Sequence, residues 1–195
     1  MSLDRYLALF REYRRKSLFT PSDFETLLDA PAATVRVQLS RMVSRGVLTR
    51  IRQGLYANPF SPPSVDEVAM ALRSPAYISL ESALARHGVL SQSPVTITLV
   101  TTGQPYVFHA MDLVFEYHHI KREIFTGFER QGACLLAEPE KALADLIYLR
   151  HRRRKQLDTE RLRSLLDDMD LDLLNRDRLA HYAQGMKLDL GVFDI

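Results

Sequence analysis

Hydrophobic residues recur at three- and four-residue spacing over three short stretches at the start of the chain. Leu3, Tyr6, Leu7, Phe10 and Tyr13 predict a first helix, Phe24, Leu27 and Leu28 a second, and Val35, Leu39 and Met42 a third. Thr20-Pro21-Ser22-Asp23 offers the second helix a capping oxygen and a first-turn proline. Gly46 is placed to end the third, where a left-handed backbone is easiest for glycine, and Val47 closes the core beyond the turn. From Leu48 the period drops to two. Leu48, Arg50 and Arg52 alternate with Thr49 and Ile51, Gln53-Gly54 supplies a tight turn, and Leu55-Tyr56-Ala57 returns.

Helix, helix, a small-residue turn over Asp29-Ala-Pro-Ala-Ala33, helix and basic hairpin is the order of a winged helix-turn-helix. The third helix is then the recognition helix. Thr34, Arg36, Val37, Ser40, Arg41, Ser44 and Arg45 fall off its apolar side, where guanidinium groups and small hydroxyls meet a DNA groove. Arg36 and Arg41 are the first choices for base edges, whereas Arg45 is equally placed to complement the dipole of its own helix end. Arg50, Arg52 and Gln53 lie at or beside the wing tip, the place from which arginine holds a phosphate or enters the minor groove.

Beyond the hairpin, Asn58-Pro-Phe-Ser-Pro-Pro-Ser64 has the composition of a semi-rigid linker. The remainder of the chain alternates between helical and strand periods. Helices are predicted over Val65–Leu72 and Ser79–His87, the latter stopped by Gly88. Strands are predicted over Val95–Thr101, Tyr106–Phe108 and Leu113–His118, with weaker ones at Glu123–Phe128 and Ala133–Ala137. Pro139 opens a helix carrying Leu143, Leu146 and Ile147, and Leu157 to Met186 reads as helical. The expected fold class is therefore α+β, with a winged helix-turn-helix over 1–58, a linker over 59–64 and a mixed α/β domain over 65–195.

Charge sharpens the partner class. Residues 1–60 hold ten Arg or Lys against five acids, a net of +5, while the whole chain is only +2 and the remainder therefore −3. A basic surface binds nucleic acid through counterion release, so this points to double-stranded DNA without specifying a sequence. No segment has the length and apolarity of a membrane span, and an amphipathic, charged helix stands where a signal peptide's apolar run would be, so a cytoplasmic location is expected. The single Cys134, between Ala133 and Leu135, reads as a small core residue.

Enzymatic motifs are missing. There is no Cys-x-x-Cys, His-Glu-x-x-His, phosphate-binding glycine loop or nucleophile elbow, and no Gly-Ser followed by paired aspartates on a strand. His118 and His119 are adjacent on a predicted strand and so expected on opposite faces, unsuited to one metal. Neither catalytic residue, metal nor cofactor is expected. One further cluster stands out: Arg150, Arg152, Arg153, Arg154 and Lys155, a basic run at the end of a helix. It is either a second phosphate-contacting patch or a cationic helix end favoured by the macrodipole.

Four segments in order, Arg45-Gly-Val-Leu-Thr-Arg-Ile-Arg-Gln-Gly-Leu-Tyr-Ala57, Tyr77-Ile-Ser-Leu-Glu-Ser-Ala-Leu-Ala-Arg-His-Gly88, Thr96-Ile-Thr-Leu-Val-Thr-Thr102 and Ala137-Glu-Pro-Glu-Lys-Ala-Leu-Ala-Asp145, resemble the AbiEi family of antitoxins. The resemblance implies the antitoxin and transcriptional autorepressor of a type IV toxin–antitoxin operon, whose N-terminal domain binds inverted repeats in its own promoter. It further implies a nucleotidyltransferase toxin of the AbiEii type as functional partner, opposed without a stable complex. The roles it implies fall on Thr34, Arg36, Ser40, Arg41, Arg50, Arg52 and Gln53. In the second domain it draws attention to Ser79, Glu81, Ser82 and Arg86, whose chemistry it leaves obscure. Glu138, Glu140, Lys141 and Asp145 read as the charged first-turn and i, i+4 pairs of any helix opening at Pro139. The alternative is a winged-helix regulator with a C-terminal sensing or dimerisation domain and no toxin.

Overall fold

The computed structural model describes residues 3–153, 164 and 166–193, and divides into two compact units, Met1–Leu72 and Arg73–Ile195. In the first, α1 (Leu3–Glu12), β1 (Leu18–Phe19), α2 (Pro21–Leu28), α3 (Ala32–Ser44), β2 (Arg50–Arg52), β3 (Leu55–Ala57) and α4 (Val65–Leu72) succeed one another. The sheet order is β1-β3-β2, antiparallel throughout, which makes α1 to β3 a winged helix-turn-helix. The core is aromatic: Phe10, Phe19 and Phe24 meet pairwise at ring-centroid distances of 5.2–5.5 Å, and Tyr6 lies 5.6 Å from Phe24. Val35, Leu39 and Met42 of α3 and Leu48 close over it. Leu27, expected on the apolar side of α2, is instead exposed.

Local chemistry sets the helix ends. Thr20 and Asp23 form a capping box at the start of α2, and Asp29 ends that helix in the left-handed conformation, φ 46°. Burial works to raise the Asp23 pKa, but hydrogen bonds from Lys16 and Thr20 more than offset it and hold the carboxyl below its ordinary value.

The proline-rich segment is part of the first unit. Asn58 is fully buried, and its Nδ2 donates to the carbonyls of Phe10, Tyr13 and Lys16 at 2.9–3.2 Å, closing the C-terminal end of α1. Its Oδ1 accepts from the Phe60 amide, and Arg11 lies over the Phe60 ring. Ser64 then caps α4 in a reciprocal pair with Glu67, whose other oxygen accepts from Ser17 at 2.5 Å. The boundary therefore falls after Leu72, and α4, which the sequence pattern assigns to the second domain, belongs to the first unit. Asn58 holds the start of the segment against the end of α1, and the Ser17–Glu67 hydrogen bond ties α4 to the same unit, contacts that composition does not register.

In the second unit β4 (Ala76–Ile78), α5 (Leu80–Arg86), β5 (Thr96–Thr101), β6 (Tyr106–Ala110), β7 (Leu113–His119), β8 (Phe128–Gln131), β9 (Cys134–Ala137), α6 (Pro139–Arg153) and α7 (Arg176–Met186) build a mixed sheet with helices. Among the described residues the order is β6-β7-β5-β4-β9-β8. The pairs β4/β9 and β5/β7 are parallel, and the other three are antiparallel. α5 packs on β5 and α6, and α6 on α7. Cys134 is buried.

Two segments depart from the pattern-based expectation. Arg122–Ile124 is a 3-10 turn, so the strand predicted from Glu123 begins only at Phe128. The predicted helix from Leu157 is interrupted. Met169 pairs with Leu90, Leu171–Leu173 is 3-10, and Asn175 caps α7 by accepting from the Arg178 amide. The part of that prediction over 157–163 lies outside the described residues.

Asn58→Ala leaves buried carbonyls unpaired and is expected to destabilise by about 2 kcal/mol in urea unfolding. A loss too small to resolve in that measurement would remove Asn58 from its role. Because the folded Asp23 pKa is depressed, its contribution is present above about pH 3.8 and lost as pH falls through the folded value. Asp23→Asn is thus expected to lose less stability than the wild type between pH 6 and pH 3, measured from urea midpoints.

Candidate nucleic-acid interface

The buried stripe of α3 decides what the helix shows to water. With Val35, Leu39 and Met42 in the core, Arg36, Val37, Ser40 and Arg41 are exposed and Thr34 is half-buried. Val37 is 49% exposed, an apolar side chain standing between arginines. α3 ends at Arg45, whose amide donates back to the Arg41 carbonyl, and Gly46 comes next at φ 69°. Ser44 Oγ donates to the same Arg41 carbonyl at 3.0 Å, which turns its hydroxyl inward to the helix.

The first strand of the wing is built on one buried residue. Ile51 points into the core while Arg50 and Arg52 flank it in the open. The register slips between Arg50 and Arg52, and Gly54 takes φ 77° to complete the turn, a conformation that strains any residue with a Cβ. Arg52 Nη1 donates to the Gln53 carbonyl at 3.3 Å, bracing the tip. Among the described residues none of Arg36, Arg41, Arg45, Arg50 and Arg52 has an acidic partner within ion-pair distance. The first unit thus presents five uncompensated guanidinium groups on one helix and its adjoining hairpin, the arrangement needed to neutralise phosphates.

The second basic cluster stands differently. Arg150 is ion-paired with Glu81, and Arg152 and Arg153 fall in the last turn of α6. Arg154 and Lys155 lie outside the described residues.

Sequence reasoning missed a buried polar network. Lys141 and Asp145, an expected i, i+4 surface-type pair, are fully buried and ion-paired to each other. Tyr77 Oη and Ser79 Oγ each donate to Asp145 Oδ2 at 2.8 Å, and Lys141 Nζ donates to Tyr77 Oη at 2.9 Å. Thr98 Oγ1 donates to the Ser79 carbonyl, and Ser82 exchanges hydrogen bonds with Thr98, so β4, α5, β5 and α6 are tied into one knot. Burial pushes the Asp145 carboxyl up and the Lys141 ammonium down, each opposed by the other's charge. A partial signal was available: Ala142, Leu143, Ala144, Leu146 and Ile147 fill the positions around Asp145, an apolar stretch that wraps this part of the helix and is buried. His118 and His119 are both among the residues that line one cleft. Among the described residues no group of three or more metal-ligating side chains converges, and no helix is long and apolar enough to cross a membrane.

Removing one member of the buried pair strands the other's charge. Asp145→Ala is expected to destabilise by about 3–5 kcal/mol, and the Lys141→Met/Asp145→Leu double variant to recover most of that loss. Urea unfolding decides it, and a double variant as unstable as the single would show that a stranded charge is not the cause.

Residues 4–59 match the family described as Transcriptional regulator, AbiEi antitoxin. No curated protein matches the chain significantly. The matched span runs from the start of α1 through the wing and Asn58, and so coincides with the winged helix and the residue that closes it. Over that span the chain is similar to the AbiEi antitoxin family of transcriptional regulators.

Proposed function

We propose that the protein is a DNA-binding antitoxin and autorepressor of a type IV toxin–antitoxin operon, acting in the cytoplasm. The observation that carries this reading is the set of unpaired arginines on α3 and the wing, inside the segment that matches the AbiEi regulators. Thr34, Arg36, Val37, Ser40 and Arg41 enter the major groove, with Arg36 and Arg41 reading base edges and Val37 offering an apolar contact to a thymine methyl. Arg45, Arg50, Arg52 and Gln53 hold the flanking backbone. The operator is an inverted repeat in the protein's own promoter. The functional partner is a nucleotidyltransferase toxin, opposed without a stable complex, and the protein itself is not an enzyme.

The division of labour is open to a direct test by binding of variants to promoter and scrambled duplexes. Arg36→Ala is expected to cost about 1–3 kcal/mol on the promoter and to relax selectivity at one base pair, whereas Arg52→Ala weakens both duplexes alike. Equal losses on both duplexes for both variants would remove base reading from Arg36. Co-expression with the toxin encoded beside it tests the antitoxin half, and restored growth is the expected result. Continued growth arrest, with promoter binding intact, would leave a regulator without antitoxin activity.

A further inference from the structure

The second unit contains a cleft of about 780 Å³ that the DNA-binding reading leaves unused. That volume falls within the roughly 300–1,000 Å³ of sites for drug-sized ligands. One side of it is apolar. Leu80 and Leu146 are buried in its wall and Leu149 is half-buried, while Val95 stands at its lining 81% exposed, the most exposed large hydrophobic side chain among the described residues.

The polar side is rich in acceptors. Glu116 is 41% exposed, and its contact with His118 Nε2 is long at 3.5 Å. His119 Nδ1 lies 2.9 Å from the Gly103 carbonyl, which can only accept, so the ring donates from Nδ1. The one arginine in the lining, Arg150, is engaged by Glu81. The lining therefore carries two carboxylates and one guanidinium, with Arg150 taken by Glu81 and only the long His118 contact beside Glu116.

The backbone at this site is strained as well. Leu80 holds φ 58°, a left-handed conformation unusual for leucine, pinned by Ser79, whose hydroxyl donates to Asp145 and whose carbonyl accepts from Thr98. Such strain persists only where its surroundings over-determine it, and it gathers at ligand-binding sites.

We propose that this cleft binds a small amine, its ammonium group on Glu116 and its aliphatic or aromatic body against Leu80, Leu146 and Leu149. A carboxylate ligand would meet Glu116, and the one arginine of the lining is already engaged by Glu81. The inference stands independently of DNA binding.

Titrating the full chain with 4-phenylbutylamine, 4-phenylbutyrate and 4-phenylbutanol, monitored by methyl NMR, separates charge from shape. The amine is expected to shift the Val95, Leu146 and Leu149 methyls saturably and to bind at least about tenfold more tightly than the acid. Glu116→Gln is expected to cost the amine about tenfold while leaving the alcohol unchanged, as loss of a charge-assisted hydrogen bond requires. Equal affinity for amine and acid, an amine affinity indifferent to Glu116→Gln, or no saturable shift at these methyls would each overturn the proposal. The comparison of amine with acid uses only the wild-type chain, so it holds even if the variant does not fold.

Discussion

Burial of Val35, Leu39 and Met42 against the Tyr6, Phe10, Phe19 and Phe24 cluster is the constraint on which the first unit depends. A helix has one side to bury, so this contact determines both the rotation of α3 and the residues left in water. Arg36, Val37, Ser40 and Arg41 are exposed because the opposite stripe is not. The same logic holds the wing, where the buried Ile51 sets the phase that exposes Arg50 and Arg52. Arginines whose backbone is set by a packed core, with no carboxylate partner among the described residues, are placed for an anionic partner.

Polar burial plays the corresponding part elsewhere. Asn58 ends α1 by satisfying carbonyls that the helix leaves unpaired, and in doing so draws the proline-rich segment into the first unit. In the second unit the Lys141–Asp145 pair, with Tyr77 and Ser79, joins strand to helix through groups that cannot be exchanged singly for apolar ones. A buried ion pair contributes little net stability, but its geometry admits few alternative packings. It also fixes Ser79, and with it the left-handed Leu80 at the edge of the cleft.

Periodicity made the local elements legible. The helices α1, α2, α3 and α4, the wing and the β-branched strand at Thr96–Thr101 lie where the spacing of apolar residues puts them. Elements too short to show a period were not legible: Leu18–Phe19 has two residues, and Ala76–Ile78 is buried on both sides without alternation. Non-local hydrogen bonds were hidden for a different reason. Asn58 binds carbonyls 42 to 48 positions away, and Asp145 binds hydroxyls 66 and 68 positions away, so no local pattern marks either. For the DNA-facing residues, the sequence carried their phase on the helix and their charge. Their freedom from carboxylate partners became visible only in three dimensions.

Anisotropy of a labelled duplex from the protein's own upstream region, against a scrambled duplex of equal length and at two salt concentrations, tests the central claim most directly. Promoter binding at least about a hundredfold tighter than scrambled binding, with both weakening as salt rises, is the predicted result. Equal affinity for the two duplexes would contradict it, leaving a basic winged helix that holds phosphates without reading bases.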